Sequence, residues 1–277
     1  MTRAEPRARP CRNLVVLRAG DGSLHREWIA APRRDFDLFI SYYGRTPGRW
    51  QEDADHYEMR AGPKWPALAE LLDEQAELIA AYDCVWFPDD DLSVQPHTLD
   101  RMFAFFHAHQ LQLAQPALTR NSFHTWNTLL QDPHSQLRYT RFVEVMAPLF
   151  SRAALGACQD TFAQSHSGWG LDWTWPVLCE RAGLSGIAVI DATPVWHTRP
   201  LGGELYRNHA LDPRADAARV LSRYGLQEVR AVAKYSVLAR VQAVPLSLRE
   251  RLVFWLKRLN GRRKLRRDQR RKLTPQP

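Results

Sequence analysis

Tyr82-Asp83-Cys84-Val85-Trp86-Phe87-Pro88-Asp89-Asp90-Asp91-Leu92 is an apolar, strand-like run that ends in three consecutive carboxylates. The apolar half asks for burial, and Pro88 brings the acids to a point where the chain must turn. Adjacent acids repel one another by about 0.5–1 kcal/mol per close pair unless a cation lies among them. Along an extended chain alternate side chains share a face, so Asp89 and Asp91 point together and Asp90 is offset. Hard oxygen ligands placed this way suit Mg2+ or Mn2+, and such ions commonly hold substrate phosphates. The plain alternative is a solvated acidic turn, or a cap for the next helix.

The flanking sequence alternates strand and helix. Asn13–Arg18 and Phe36–Tyr43 read as strands, and Leu111–Pro116 as a third beside the acidic one. Residues 65–82 read as a helix, because Leu68, Leu71, Leu72, Leu78 and Ile79 keep close to a 3.6-residue period. A second helix begins near Gln95, with Leu99, Met102, Phe103 and Phe106 on one face. The β-α-β-α-β order over 13–116 predicts a mainly parallel central sheet flanked by helices in a single α/β domain. Beyond it, Arg141–Met146 alternates like a strand, Ser151–Phe162 and 172–182 read as helices, and Gly186–Asp191 is a strand leading to His197. Residues 1–12 are rich in Pro and Arg and read as disordered, and 44–63 as a loop. The expected division is a catalytic domain over 13–211, a helical extension over 212–260 with an amphipathic helix at 246–259, and a basic disordered tail over 261–277.

The 277 residues carry a formal net charge of +8. Ten Lys and Arg lie between Lys257 and Lys272 beside the single acid Asp268, so the body is near neutral and the basicity belongs to the tail. Trp and Leu on one side of 246–259, leading into polybasic sequence, fit an anionic membrane surface. Nucleic acid fits less well, since no zinc module or helix-turn-helix is recognisable. No run of about 18 apolar residues exists, and no secretory leader is visible. Cys11, Cys84, Cys158 and Cys179 show no C-x-x-C spacing. The expected place is the cytoplasm, peripheral on the inner face of the plasma membrane.

Three further positions bear on chemistry. His197 follows apolar Val195-Trp196 and reads either as a packed histidine or as a third ligand that favours Mn2+ over Mg2+. Asp172 follows Gly168-Trp169-Gly170-Leu171 at a loop-to-helix junction, as a general base beside a tryptophan wall or as a helix cap. Lys64, just before the best helix, is an anion-binding cation or an ordinary exposed lysine.

Asn13-Leu14-Val15-Val16-Leu17-Arg18-Ala19-Gly20-Asp21, Trp86-Phe87-Pro88-Asp89-Asp90-Asp91-Leu92, Phe142-Val143-Glu144-Val145-Met146-Ala147-Pro148 and Gly168-Trp169-Gly170-Leu171-Asp172 together resemble the family DUF707. More broadly the chain resembles glycosyltransferases of the GT-A fold over about residues 13–200. The resemblance implies that Asp89 and Asp91 are a D-x-D pair holding Mn2+ or Mg2+, with Asp90 able to replace Asp89. It implies His197 as a late metal ligand and Asp172 as the base of an inverting transfer. Arg18, Asp21 and Ser23 would lie near the nucleotide, Lys64 would touch base, ribose or phosphate, and Asp90 and Trp169 would border the nucleotide-sugar. The function implied is hexosyl transfer in polysaccharide biosynthesis, from a nucleotide-sugar (a UDP-sugar first) to a glycan or lipid-linked hydroxyl. Two other classes compete: a non-catalytic sugar- or nucleotide-binding protein, and a metal-dependent phosphohydrolase or nuclease. A two-metal site would want more converging carboxylates than the sequence places.

Overall fold

β1 (Asn13–Ala19) is buried along its whole length. It pairs in parallel with β2 (Asp37–Tyr42) on one side and β4 (Cys84–Trp86) on the other. Its residues alternate between two cores. Val15 and Leu17 join Met102, Phe103 and Phe106 of α4 (Thr98–Ala108), while Leu14 and Val16 join Leu68, Leu71 and Leu72 of α2 (Lys64–Glu74). A strand covered by helices on both faces is a solid apolar run rather than an alternating one, which is how β1 reads.

This architecture comes from a computed structural model that describes residues 12–200, 212–226, 237–242 and 256. The remaining sheet strands are β3 (His56–Met59), β6 (Leu113–Leu118), β7 (Ser135–Tyr139), β8 (Leu149–Ser151), β9 (Ile187–His197) and β10 (Ala239–Gln242). Their order is β10-β7-β9-β6-β8-β4-β1-β2-β3. Only β7 and β8 run against the other strands of this row, so the central sheet is mainly parallel, with helices on both faces. A two-residue strand, β5 (Leu92–Ser93), leaves the row and pairs antiparallel with the far end of β9.

The second face of the sheet carries α5 (Arg152–Cys158) and α6 (Leu171–Arg181). Trp65, Phe87, Phe150, Phe162 and Trp175 meet there at centroid distances of 4.7–6.4 Å, mostly edge to face. Such contacts make a stiff floor under the end of β4.

The structure differs from the sequence reading in four places. The helix expected over 65–82 breaks at Gln75 into α2 and α3 (Ala76–Ala80). The loop expected over 44–63 holds a 3-10 turn, Gln51–Asp53, and the edge strand β3. Arg141–Met146 is irregular, and the strand comes later as β8. Its alternation arises because Phe142, Val143 and Met146 are buried one by one, while the backbone bonds outward to Gln115, Asp89 and Lys64.

The fourth difference concerns 212–243. Helix α7 (Pro213–Arg223) is present, with Asp212 capping it, but residues 239–242 are the edge strand β10 rather than helix. The amphipathic helix expected over 246–259 and the basic tail lie outside the described residues, Leu256 excepted. Among the described residues, no helix is long and apolar enough to cross a membrane.

Candidate functional site

The acidic run leaves β4 still paired with its neighbour. Phe87 N–H donates to Pro148 O at 3.0 Å and Asp89 N–H to Met146 O at 2.8 Å. Then β5 aligns Leu92 with His197 of β9, and both Thr198 N–H and Thr198 Oγ1 donate to Asp91 O, at 3.2 and 2.8 Å. This short pairing brings a histidine from the end of the domain against acids from its middle. One ligand atom from each of Asp89, Asp91 and His197 lies within 4.8 Å of the others.

His197 Nδ1–H donates to Phe123 O at 2.7 Å, which fixes the ring and turns Nε2 toward Asp91 Oδ2, 3.2 Å away. Burial pulls the imidazole pKa down, but the hydrogen bond and charge of Asp91 outweigh it and lift it to about 9. Two carboxylates and one imidazole, with the imidazole anchored through its other nitrogen, suit Mn2+ or Mg2+. Neighbouring ligands of an octahedral ion with bonds of about 2.1 Å sit about 3 Å apart, so the spacing of Asp91 and His197 fits.

The other acids turn elsewhere. Asp90 accepts from Gly20 N–H at 2.8 Å, from Tyr43 OH at 3.3 Å and from Arg199 Nη1 at 3.3 Å. Burial pushes its pKa up, and the Gly20 N–H and Arg199 oppose that push. Asp90 thereby ties the acidic turn to the loop after β1. Lys64 Nζ lies 2.6 Å from Asp89 Oδ1 and 2.9, 3.2 and 3.3 Å from the carbonyls of Phe87, Val145 and Met146. Its ammonium is therefore engaged by four protein oxygens at the cluster of Asp89, Asp91 and His197.

Arg18, at the end of β1, donates to Ser41 Oγ at 2.6 Å and to Gly62 O at 3.0 Å, and burial lowers its pKa to about 10. Asp21 is exposed and accepts from Tyr42 OH at 2.5 Å. Ser23 is buried, with its hydroxyl 2.8 Å from His25 Nδ1. These three border the loop that Asp90 holds.

Asp172 sits in the first turn of α6, buried, with Oδ1 accepting from Trp173 N–H at 3.0 Å. Pro176 brings no N–H to its carbonyl. The turn before it is built from two glycines. Gly168 has φ 82°, and a Cβ there would stand 2.5 Å from Trp65 Nε1. Gly170 has φ 93°, and a Cβ there would stand 3.0 Å from Ala217 Cα of α7. Between them Trp169 is 40% exposed. Asp216 of α7 accepts from Ser167 N–H at 2.9 Å, which clamps the loop from outside.

Comparison with known proteins bears on the fold. Residues 124–231 match the family described as "Protein of unknown function (DUF707)". The matched segment holds Trp169, Asp172 and His197 but not the acidic run. A search of curated proteins finds no match. Among solved structures, GalNAc-T7 with UDP, GalNAc and Mn2+ is similar at 8% identity and TM-score 0.52, covering 69% of this chain and 44% of that one. S. aureus TarS 1-349 in complex with UDP-GlcNAc is similar at 12% identity and TM-score 0.48, covering 76% and 71%. The chain has the GT-A glycosyltransferase fold.

Within that GT-A frame two residues stand out that the sequence reading passed over. Arg199, two positions after His197, reaches both Asp90 and Gly22 O. Glu144, in the irregular stretch before β8, is only 7% exposed, and its Oε2 has no hydrogen-bond partner among the described residues. Burial, then the nearby Asp172 and Asp89, push its pKa up to about 8, with His197 opposing. Glu144 stands in the quoted family segment, but its neighbours gave only an alternating apolar signal. Nothing in the sequence marks a carboxyl there as buried without a partner.

Proposed function

We propose that this protein is a metal-dependent glycosyltransferase moving a sugar from a nucleotide-sugar, in the first place a UDP-sugar, to a hydroxyl of a glycan or lipid-linked acceptor. The observation that supports this most is the cluster of Asp89, Asp91 and His197 at the carboxyl end of the central strands, where open α/β sheets bind ligands. These three side chains would hold Mn2+ or Mg2+, which supplies charge neutralisation for the departing nucleoside diphosphate. Asp89 is kept in place by Lys64, and Asp91 by the β5–β9 pairing.

Asp172 is the base of this reading. Its carboxylate takes the proton of the acceptor hydroxyl as that oxygen bonds to the anomeric carbon. The bond from that carbon to the diphosphate breaks, and its electron pair leaves with the diphosphate. Attack from the face opposite the leaving group inverts the anomeric centre. Trp169, partly exposed beside Asp172, offers a flat apolar face to a sugar ring. Residues 246–272 are read as a contact for an anionic membrane surface, which would bring the protein to lipid-linked acceptors.

The test is titration of UDP and UDP-sugars with Mn2+, followed by assay of sugar transfer or slow donor hydrolysis. Asp91→Ala should abolish Mn2+-dependent nucleotide binding. Asp172→Asn should leave that binding within about twofold and cut transfer by roughly 100-fold or more. Equal loss of binding in both variants would make Asp172 structural and defeat the assignment.

A further inference from the structure

Glu144 has no role in the reaction as described, yet the fold keeps it at some expense. Its neighbours Phe142, Val143 and Met146 are buried and apolar. Its backbone N–H is fixed by Oε1 of the fully buried Gln115 at 2.5 Å, which holds this stretch of chain in place. The carbonyls of the next two residues, Val145 and Met146, lie on Lys64. The loop is thereby pinned to the same ammonium that holds Asp89. A buried carboxyl oxygen without a partner costs several kcal/mol, and native folds keep few such groups.

The surroundings say what would satisfy it. The stretch that carries Glu144 lies against the acidic run, with Met146 O accepting from Asp89 N–H at 2.8 Å and from Lys64 Nζ at 3.3 Å, and the charges of Asp172, Asp89 and His197 are felt at Glu144. The phosphates of a donor belong with the cation. What lies between a metal-held diphosphate and a base facing the anomeric carbon is the sugar ring itself. Ring hydroxyls are neutral, donate and accept, and can satisfy both oxygens of one carboxyl. We propose that Glu144 binds hydroxyls of the transferred sugar and so determines which epimer of the donor the protein takes. This inference rests on the nucleotide-sugar reading above.

The test is calorimetric titration, with Mn2+ present, of the wild type, Glu144→Gln and Glu144→Ala. The probes are UDP, UDP-glucose, UDP-galactose, UDP-GlcNAc, UDP-GalNAc, GDP and GDP-mannose. The wild type should rank the sugars, gaining affinity over the bare nucleotide with the preferred one. Glu144→Ala should leave affinity for the bare nucleotide within about twofold and lose about tenfold or more of the gain from the sugar, flattening the ranking. Glu144→Gln, of the same shape, should recover part of the gain and guards against a folding defect in the alanine variant. If both variants keep the wild-type ranking, or if no attached sugar adds affinity in the wild type, the assignment to Glu144 falls while the nucleotide reading stands. If the wild type binds neither UDP nor GDP, both fall.

Discussion

Glu144 and Lys64 show how much single side chains decide here. The pKa of Glu144 is about 8 in the folded chain, raised by burial, Asp172 and Asp89 from an ordinary value of 4.5. Below pH 4.5 both states are protonated and the group contributes nothing. Between 4.5 and 8 the unfolded chain ionises while the folded one keeps its proton, so stability falls as pH rises. The expected outcome is that Glu144→Gln matches the wild type in denaturant unfolding at pH 4 and is more stable by a few kcal/mol at pH 8, at about 1.4 kcal/mol per tenfold. Lys64→Met should strand Asp89 and three carbonyls together. Urea unfolding should show a loss of about 1–3 kcal/mol, and Mn2+ titration a weaker affinity, because Asp89 is no longer held.

At the scale of elements, the loop that delivers Asp172 depends on glycine. Gly168→Ala would force a side chain at φ 82° into the ring of Trp65. The expected cost is about 2–4 kcal/mol by thermal unfolding, with transfer activity reduced because α6 begins from that turn. A second element-scale joint ties β7 to β9. Arg138 makes two 2.8 Å bonds to buried Asp191 and also donates to the carbonyls of Thr128 and Leu130. Asp191→Asn should destabilise by about 3–5 kcal/mol, because a buried guanidinium loses its counter-charge. Elements were legible in the sequence where burial is continuous, as in β1, β2, β4 and β6, whose apolar runs need no interpretation. β3 and β7, His56-Tyr57-Glu58-Met59 and Ser135-Gln136-Leu137-Arg138-Tyr139, were not, since their strand character comes from pairing rather than from apolar composition. β10 was read as helix because its four residues make sense only against β7. In the candidate site, Asp89 and Asp91 could be picked out from local chemistry. The company of Glu144 and Arg199 could not, because the distances that matter there span parts of the chain far apart in sequence.

At the scale of the molecule, strand ends of one sheet bring the candidate metal ligands together. β1 supplies Arg18 and the loop held by Asp90, β4 leads into the acidic turn, β9 ends in His197, and Asp172 stands in the first turn of α6, whose Trp175 joins the aromatic floor. The chain carries a GT-A glycosyltransferase fold, and the proposed chemistry rests on how these ends converge. A cation bound at the convergence should stabilise the entire fold, since the ligands come from separate strands. With Mn2+ at 100 times its Kd the stabilisation is about 2.7 kcal/mol. The melting temperature should rise by several degrees, and Asp91→Asn should show no rise at all.

Diffraction at the manganese absorption edge, from crystals grown with UDP and MnCl2, tests the central claim most directly. The account predicts one anomalous peak within about 2.3 Å of a carboxylate oxygen of Asp91 and of Nε2 of His197, with the UDP diphosphate on its open side. Bound UDP with no peak at that position, or manganese bound elsewhere, would contradict it.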